Sequence, residues 1–432
     1  MSLKLKNVKL EKTSKFITPY AGLGILHNVI LGSYFYSDLC TTFNYMKKRN
    51  RGYSPAEKIL AHMELILSGG EALSDIKMLE NDNGYKKITN QKSLPKQNTF
   101  TTFYNSITKD DYDKYEDFNL EQAIKYYKKK HAKMITLDID SSLSFTEKKC
   151  AEWTYEKKKG FNPMYVVDEK NKIILLAKFR NGNASPQSDI LESLEKVISE
   201  LKKAIPGIKI YVRIDSAGYQ YKIVKYLTKY NFVIRGDLNV AKRKEFELIH
   251  PKEWKKIDDK SDICRITTTI SSGPSDFIEV DAIVKREKVW SKEEGYLMNT
   301  YTYSYVITNI SKYEMDELSI LNYYNQRGNG ENIFKELKND FALNNFPSSE
   351  YYANGFYLQV VVSTYNIFQI SKTKLFKKEW HKHRLKTIRY YIINIAGYIV
   401  RSGREIILKL FENYAYYKEF KGALELSYCA LL

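Results

Sequence analysis

The chain has 432 residues, enough for roughly two to four ordinary domains. Its 69 Lys and Arg against 51 Asp and Glu leave a net charge of +18, while 43% hydrophobic and 14% aromatic residues exclude a disordered polycation. A pI near 9.3 predicts attraction to polyanions that weakens as salt displaces it, and the four scattered cysteines, with no C-x-x-C pair, argue against a zinc site or a disulfide framework.

Residues 1–130 read as a mostly helical region. The apolar stretch at 17–36 is interrupted by Pro19, Gly22, Gly24, His27, Asn28 and Gly32, so it is neither a signal segment nor a membrane span. With the cysteine usage this fits a reducing intracellular compartment, and the expectation is a soluble, cytoplasmic, nucleoid-associated protein. Ser54-Pro-Ala-Glu57 is a helix start, with Ser54 as N-cap, Pro55 at the first helical position and Glu57 completing a capping box; Gly69-Gly70 ends that helix. Leu94-Pro95 then turns into a short aromatic helix. Basic and aromatic residues are interspersed through the whole region, which suits a DNA-end-binding module.

From residue 131 the pattern becomes α/β, and 131–237 is expected to hold the first part of a catalytic core. Strands are expected at 134–140, 164–167 and 173–179, the last two joined across the polar break at 168–172. Ser185-Pro186 opens a helix whose apolar residues Ile190, Leu191, Leu194, Val197, Ile198 and Leu201 keep the 3.6-residue period. A strand at 208–215, a helix around Ile223, Val224 and Leu227, and a strand at 232–235 complete a β-β-β-α-β-α-β order. Residues 238–310, dense in Thr, Val, Ile and Tyr, read as a β-rich insertion. The core resumes over 311–375, and 376–432 forms a C-terminal region that contacts DNA or dimerises.

Two carboxylates end strands. Asp140 closes the first strand in Leu-Asp138-Ile-Asp140-Ser-Ser, and Asp215 closes the fourth in Arg213-Ile-Asp215-Ser-Ala-Gly218. In α/β sheets ligands gather beyond the carboxyl ends of strands, so these acids can share a metal site. Asp138 lies on the same strand face as Asp140 and is the alternative ligand. Either acid could equally be a turn-forming Asp before Ser.

The third acid comes later, in Tyr324-Asn-Gln-Arg327-Gly-Asn-Gly-Glu331-Asn-Ile-Phe-Lys-Glu-Leu-Lys338. On an α-helix, steps of three, four and seven bring Tyr324, Arg327, Glu331 and Lys338 to one face. Cations grip phosphate oxygens and a carboxylate can hold a divalent metal, so such a face suits a phosphodiester; a solvated face laced with weak ion pairs has the same spacing. Gly328 and Gly330 oppose a continuous helix at about 1 kcal/mol each. Either packing overrides them, or the helix starts near Glu331, or they admit a DNA backbone.

Asp140, Asp215, a β-rich insertion and Tyr324-x2-Arg327-x3-Glu331-x6-Lys338 together resemble the insertion-sequence DDE transposases with an RNase H-like core and a Tyr-Arg-Glu-Lys signature. The similarity extends to Gly160-Phe-Asn-Pro163 and Arg180-Asn-Gly-Asn183. The resemblance implies a retroviral-integrase-type mixed sheet with flanking helices. It also implies a homodimer that binds terminal inverted repeats in double-stranded DNA, cuts at the element ends and joins the 3′ ends to a target. Asp140, Asp215 and Glu331 would then be catalytic metal ligands for two Mg²⁺ ions, with Mn²⁺ able to substitute, and Tyr324, Arg327 and Lys338 would contact phosphates. Some relatives pass through a DNA hairpin assisted by aromatic residues of the insertion. Trp290 is one candidate here, a buried core Trp being the plainer reading. A nuclease without strand transfer and a non-catalytic DNA-binding protein remain the alternatives.

Of the other polar residues, His62 on an apolar helix, His381 and His383 read as structural or phosphate-facing. Cys264 reads as strand core. The basic run 372–384 is either a solvated surface or a DNA-facing loop.

Overall fold

A computed structural model describes residues 9–273, 275–293, 296–403 and 405–429; the side chains at 290–293, Trp290 among them, and at 296–300 lie outside the described residues. The chain forms two compact units. One comprises Tyr104–Asn339 and Leu343–Asn366. The other gathers the described residues up to Phe103 with Asp340–Ala342 and those from Ile367 onward.

The first unit is mixed α/β, built on a nine-stranded sheet. Named by first residue, its strands run 255, 261, 276, 296, 231, 209, 134, 164, 173. Met134–Ser141 lies parallel to Lys209–Ile214, which lies parallel to Asn231–Arg235, while Met164–Asp168 and Ile173–Lys178 continue antiparallel. Met164–Asp168 and Ile173–Lys178 read as nearly unbroken apolar runs because both of their faces are covered: every residue of Met164–Asp168 is buried. The β-rich segment is not a separate body. Its last strand, Tyr296–Thr308, pairs with Asn231–Arg235 through Val306, Ile307 and Thr308 and so extends the same sheet.

The outer strand, Ile173–Lys178, would leave unpaired backbone groups. Helix Tyr351–Leu375 supplies partners through two amides: Asn366 accepts from Ile174 N (2.9 Å) and donates to Ile174 O (2.8 Å), and Gln359 donates to Ala177 O (2.7 Å). The helix expected from Pro186 begins at Ile190 instead. The Arg180 guanidinium holds the carbonyls of Ser185 and Ser188, and Asp189 takes a left-handed conformation (φ 66°), so the first turn is diverted.

In the second unit Ser54 and Glu57 make the reciprocal capping box, and Gly69, at φ 103°, ends helix Pro55–Ser68 in a conformation glycine adopts without strain. Arg389 donates to the carbonyls of Ile66 and Leu67 at that helix end. The two ends of the chain meet here: Phe16–Thr18 pairs antiparallel with Gly397–Ser402, itself paired with Glu405–Lys409. The division near residue 103 thus differs from the sequence boundaries at 130 and 376. Helix Lys109–Lys129 packs on the nine-stranded sheet, whereas the C-terminal residues complete the N-terminal unit.

His62 is fully buried against Phe100, and burial pushes it down to about 3, so it is neutral. Cys264 is a buried strand residue. Lys372 is buried and donates to His383 O, and Arg384 forks onto Asp340. These residues of the basic run are therefore structural. No helix among the described residues is long and apolar enough to cross a membrane.

One buried ion pair fastens the middle of the sheet. Asp138 and Arg213 are register partners on adjacent parallel strands, both 2% exposed. Arg213 grips both carboxylate oxygens through Nε (2.6 Å) and Nη2 (2.7 Å) and donates from Nη1 to Tyr323 O (2.6 Å). Its guanidinium also lies 4.7 Å from the Tyr323 ring, whose hydroxyl bonds Thr136 (2.8 Å). Helix Glu317–Asn325 is pinned to the sheet by this cluster. Removing Asp138 would strand a buried guanidinium, so Asp138→Ala should lower unfolding free energy by about 3–5 kcal/mol in a denaturant titration.

Candidate active site

Asp140 lies two residues beyond Asp138 of the Asp138–Arg213 rung, and Asp215 immediately follows the neighbouring parallel strand. Each aspartate divides its oxygens between backbone and site. Asp140 Oδ1 accepts from Ser141 N (2.9 Å), and Asp215 Oδ1 accepts from Ala217 N (3.0 Å), capping the tight turn Ser216–Gly218. The turn-forming and ligand readings of these acids are thus compatible, because Oδ2 of each faces the same point.

That point is occupied by Arg327. Its Nη2 lies 3.1 Å from Asp140 Oδ2, 3.4 Å from Asp215 Oδ2 and 3.2 Å from Ile139 O. Burial raises the Asp140 carboxyl; Arg327 pulls it back, and the charges of Asp215 and Glu331 push it up again. Burial works against the Arg327 charge, but Asp140 and Asp215 outweigh it. Nε of the same guanidinium is buried without a hydrogen-bond partner, so the residue is held by charge more than by a full set of bonds.

Glu331 is not in this group. Helix Glu317–Asn325 gives way to a tight 3₁₀ turn, Gln326–Asn329, before helix Gly330–Asp340 begins. A 3₁₀ turn advances about 120° per residue instead of about 100°, so two such steps after Arg327, followed by two α steps, set Glu331 roughly 80° from Arg327 rather than about 40°. The Glu331 side chain is accordingly 66% exposed and pairs with Lys335 (3.6 Å). Among the described residues, no three His, Cys, Asp or Glu side chains are grouped as a metal site. A Cβ at Gly328 or Gly330 would meet nothing within 4 Å, so packing does not demand either glycine.

Tyr324 is half-buried and packs against the cluster of Tyr211, Val233, Ile283 and Ile320; burial raises its hydroxyl. Lys338 is half-buried further along, and burial lowers its ammonium against the pull of Glu156. Asp138, the alternative ligand, is engaged by Arg213 through both oxygens and has none free for the point where Asp140 and Asp215 converge. Arg213 is the positioning residue that sequence reasoning assigned no role. Its signal was available: Arg-x-Asp and Asp-x-Asp on adjacent strands put one salt bridge below one acid pair.

The fit of this site to a divalent cation can be judged from its resident one. Two carboxylate oxygens and a main-chain carbonyl already converge on a guanidinium nitrogen, and hard oxygen donors are those Mg²⁺ and Mn²⁺ prefer. If the guanidinium holds the place of an exchangeable cation, Arg327→Gln should tighten Mg²⁺ or Mn²⁺ binding severalfold in calorimetry; weaker binding would make Arg327 part of the cation site instead.

No curated protein matches the chain. Among solved structures, a cryo-EM structure of the piggyBac transposase synaptic complex with hairpin DNA is similar over 87% of this chain and 80% of that chain, at 14% identity and a TM-score of 0.46. A family model described as the transposase DDE domain, group 1, matches residues 2–428. The match takes in both strand-end aspartates and the late Glu331 helix, and the chain belongs to this family of DDE-domain transposases.

Proposed function

We propose that the protein is a metal-dependent DNA transposase that binds the terminal inverted repeats of an insertion sequence as a homodimer, cuts at the element ends and transfers the 3′ ends to target DNA. The observation that carries this reading is the convergence of Asp140 and Asp215 on one cation at the carboxyl ends of adjacent parallel strands. The strand order 173, 164, 134, 209, 231, antiparallel then parallel, supports an RNase H-like core of retroviral-integrase type. A net charge of +18 supports a polyanionic partner.

Asp140 and Asp215 would hold the metal, with Glu331 joining from the exposed side of its helix. A divalent ion such as Mg²⁺ or Mn²⁺ held there would supply activation of the attacking oxygen and stabilisation of the leaving one. The protein's own groups do the rest. Arg327 keeps the two carboxylates from repelling each other and, once displaced toward DNA, grips a phosphate. Tyr324 and Lys338 would add contacts to phosphates, and Lys338, partly desolvated, gives up less hydration on meeting a phosphate oxygen than a free lysine would. Gly328, exposed and with open space where a Cβ would sit, leaves a side-chain-free surface that a DNA backbone can approach.

A non-catalytic DNA-binding protein gains support only from the outward position of Glu331. Substitution separates the two. Asp140→Ala, Asp215→Ala and Glu331→Ala should each reduce Mg²⁺-dependent cleavage of element-end DNA by a thousandfold or more, on the order of 4 kcal/mol, while leaving end binding largely intact. Undiminished cutting in all three variants would refute the reading. Binding should also weaken steeply with salt, log Kd rising linearly with log salt.

A further inference from the structure

Directly after Asp140 the chain builds a small three-stranded sheet, Ser144–Phe145, Lys159–Phe161 and Glu152–Trp153, that the chemistry above does not use. Its base is rigid and assembled from the two motifs Gly160-Phe-Asn-Pro163 and Arg180-Asn-Gly-Asn183. A Cβ on Gly160 would lie 2.5 Å from Ser144 O, and one on Gly182 would lie 2.5 Å from Gly160 O. Arg180 donates to Asn162 O (2.9 Å), Asn162 N donates back to Arg180 O (3.0 Å), and Asn162 Nδ2 reaches Ala184 O (3.1 Å). Ser142 N bonds Pro163 O, which ties this base to the end of the Asp140 strand.

The outward side is of opposite character. Trp153 is 61% exposed, Tyr155 71% and Phe145 36%. Lysines sit over two of these rings: Lys159 lies 5.9 Å from the Trp153 ring and Lys158 5.1 Å from the Phe145 ring. Residues 144–161 hold five lysines against three glutamates. At the tip, Thr154 N bonds Lys158 O and Lys157 takes φ 58°, a left-handed position where glycine or asparagine is comfortable and lysine is not. Lys338 of the signature feels the charge of Glu156, so this face and the late helix are electrostatic neighbours.

Large exposed rings on a rigid base, alternating with ammonium groups, match the two needs of unpaired DNA, flat base faces and a phosphate backbone. We propose that residues 144–161 form a stacking platform for a single-stranded segment of DNA beside the acid pair. Trp153 and Tyr155 take base faces, while Lys157, Lys158 and Lys159 take the backbone. This rests on the reading of the protein as an enzyme that opens DNA at Asp140 and Asp215.

The test uses the full chain and fluorescent duplexes, blunt or with a short single-stranded 3′ extension, followed by anisotropy in the absence of divalent metal. The combined Trp153→Ala and Tyr155→Ala substitutions should weaken binding to the extended duplex about tenfold or more and to the blunt duplex by less than about twofold. Trp153→Phe should restore most of the loss. Lys157→Gly, which relieves the strained φ, should raise the melting temperature while weakening binding to the extension. Unchanged affinity for the extension in the double variant overturns the platform, as does an equal loss on both duplexes. A change in oligomeric mass by light scattering without any loss on the extension also overturns it and assigns the rings to contact between copies. If wild-type protein fails to cut DNA with Mg²⁺ yet shows the difference between duplexes, the platform stands and the enzyme reading falls.

Discussion

Two aspartates at the ends of adjacent parallel strands need a cation between them, and much of this site is arranged around that need. The sheet carries two rungs on one face. In the lower, Asp138 meets Arg213 and the strands neutralise each other. In the upper, acid faces acid, and the charge must come from outside the sheet. Arg327 supplies it here, 3.1 and 3.4 Å from the two carboxylates. Lower and upper rungs are linked through one helical segment, since Tyr323 receives Arg213 and Arg327 follows it by four residues.

This arrangement explains why the acid pair is ordered without Glu331 beside it. Oδ1 of Asp140 and of Asp215 is tied to the backbone, which fixes each carboxylate and leaves Oδ2 aimed at the cation. Glu331 is fixed by nothing comparable. It stands on the exposed side of its helix, after a 3₁₀ turn, and nothing packs where a Cβ would sit on Gly328 or Gly330. Mid-helix 3₁₀ turns commonly mark hinges, and rewinding this one to α geometry would bring Glu331 round toward the pair while moving Arg327. The small sheet at 144–161 completes the surroundings with lysines and exposed rings next to the strand that ends in Asp140.

How much of this was legible in the sequence depended on range. Period and composition located the strands of Asp140 and Asp215 to within a residue or two, because both are buried apolar runs ending in Asp-Ser. The capping box at Ser54 was equally legible, being a local bond pattern. What failed to show was set by distant partners. Helix Ile190–Ala204 starts late because Arg180 holds two carbonyls of its first turn, and Phe16–Thr18 finds its partner about 380 residues away. A helix starting near Glu331 was one of the readings the glycines left open, and helix Gly330–Asp340 matches it. The signature was legible only in part, for a different reason. Spacing of three, four and seven assumes 3.6 residues per turn throughout, and Gly328 with Gly330 leaves the backbone free to tighten. The two glycines were visible; the direction in which they turned Glu331 was not.

The most direct test is a crystal structure with Mn²⁺ and element-end DNA, using anomalous scattering to locate the metal. The account predicts Mn²⁺ bound by Oδ2 of Asp140 and of Asp215, Glu331 turned inward, and the Arg327 guanidinium withdrawn onto a phosphate. Arg327 still bridging both aspartates at saturating Mn²⁺, with no anomalous peak beside them, would contradict it.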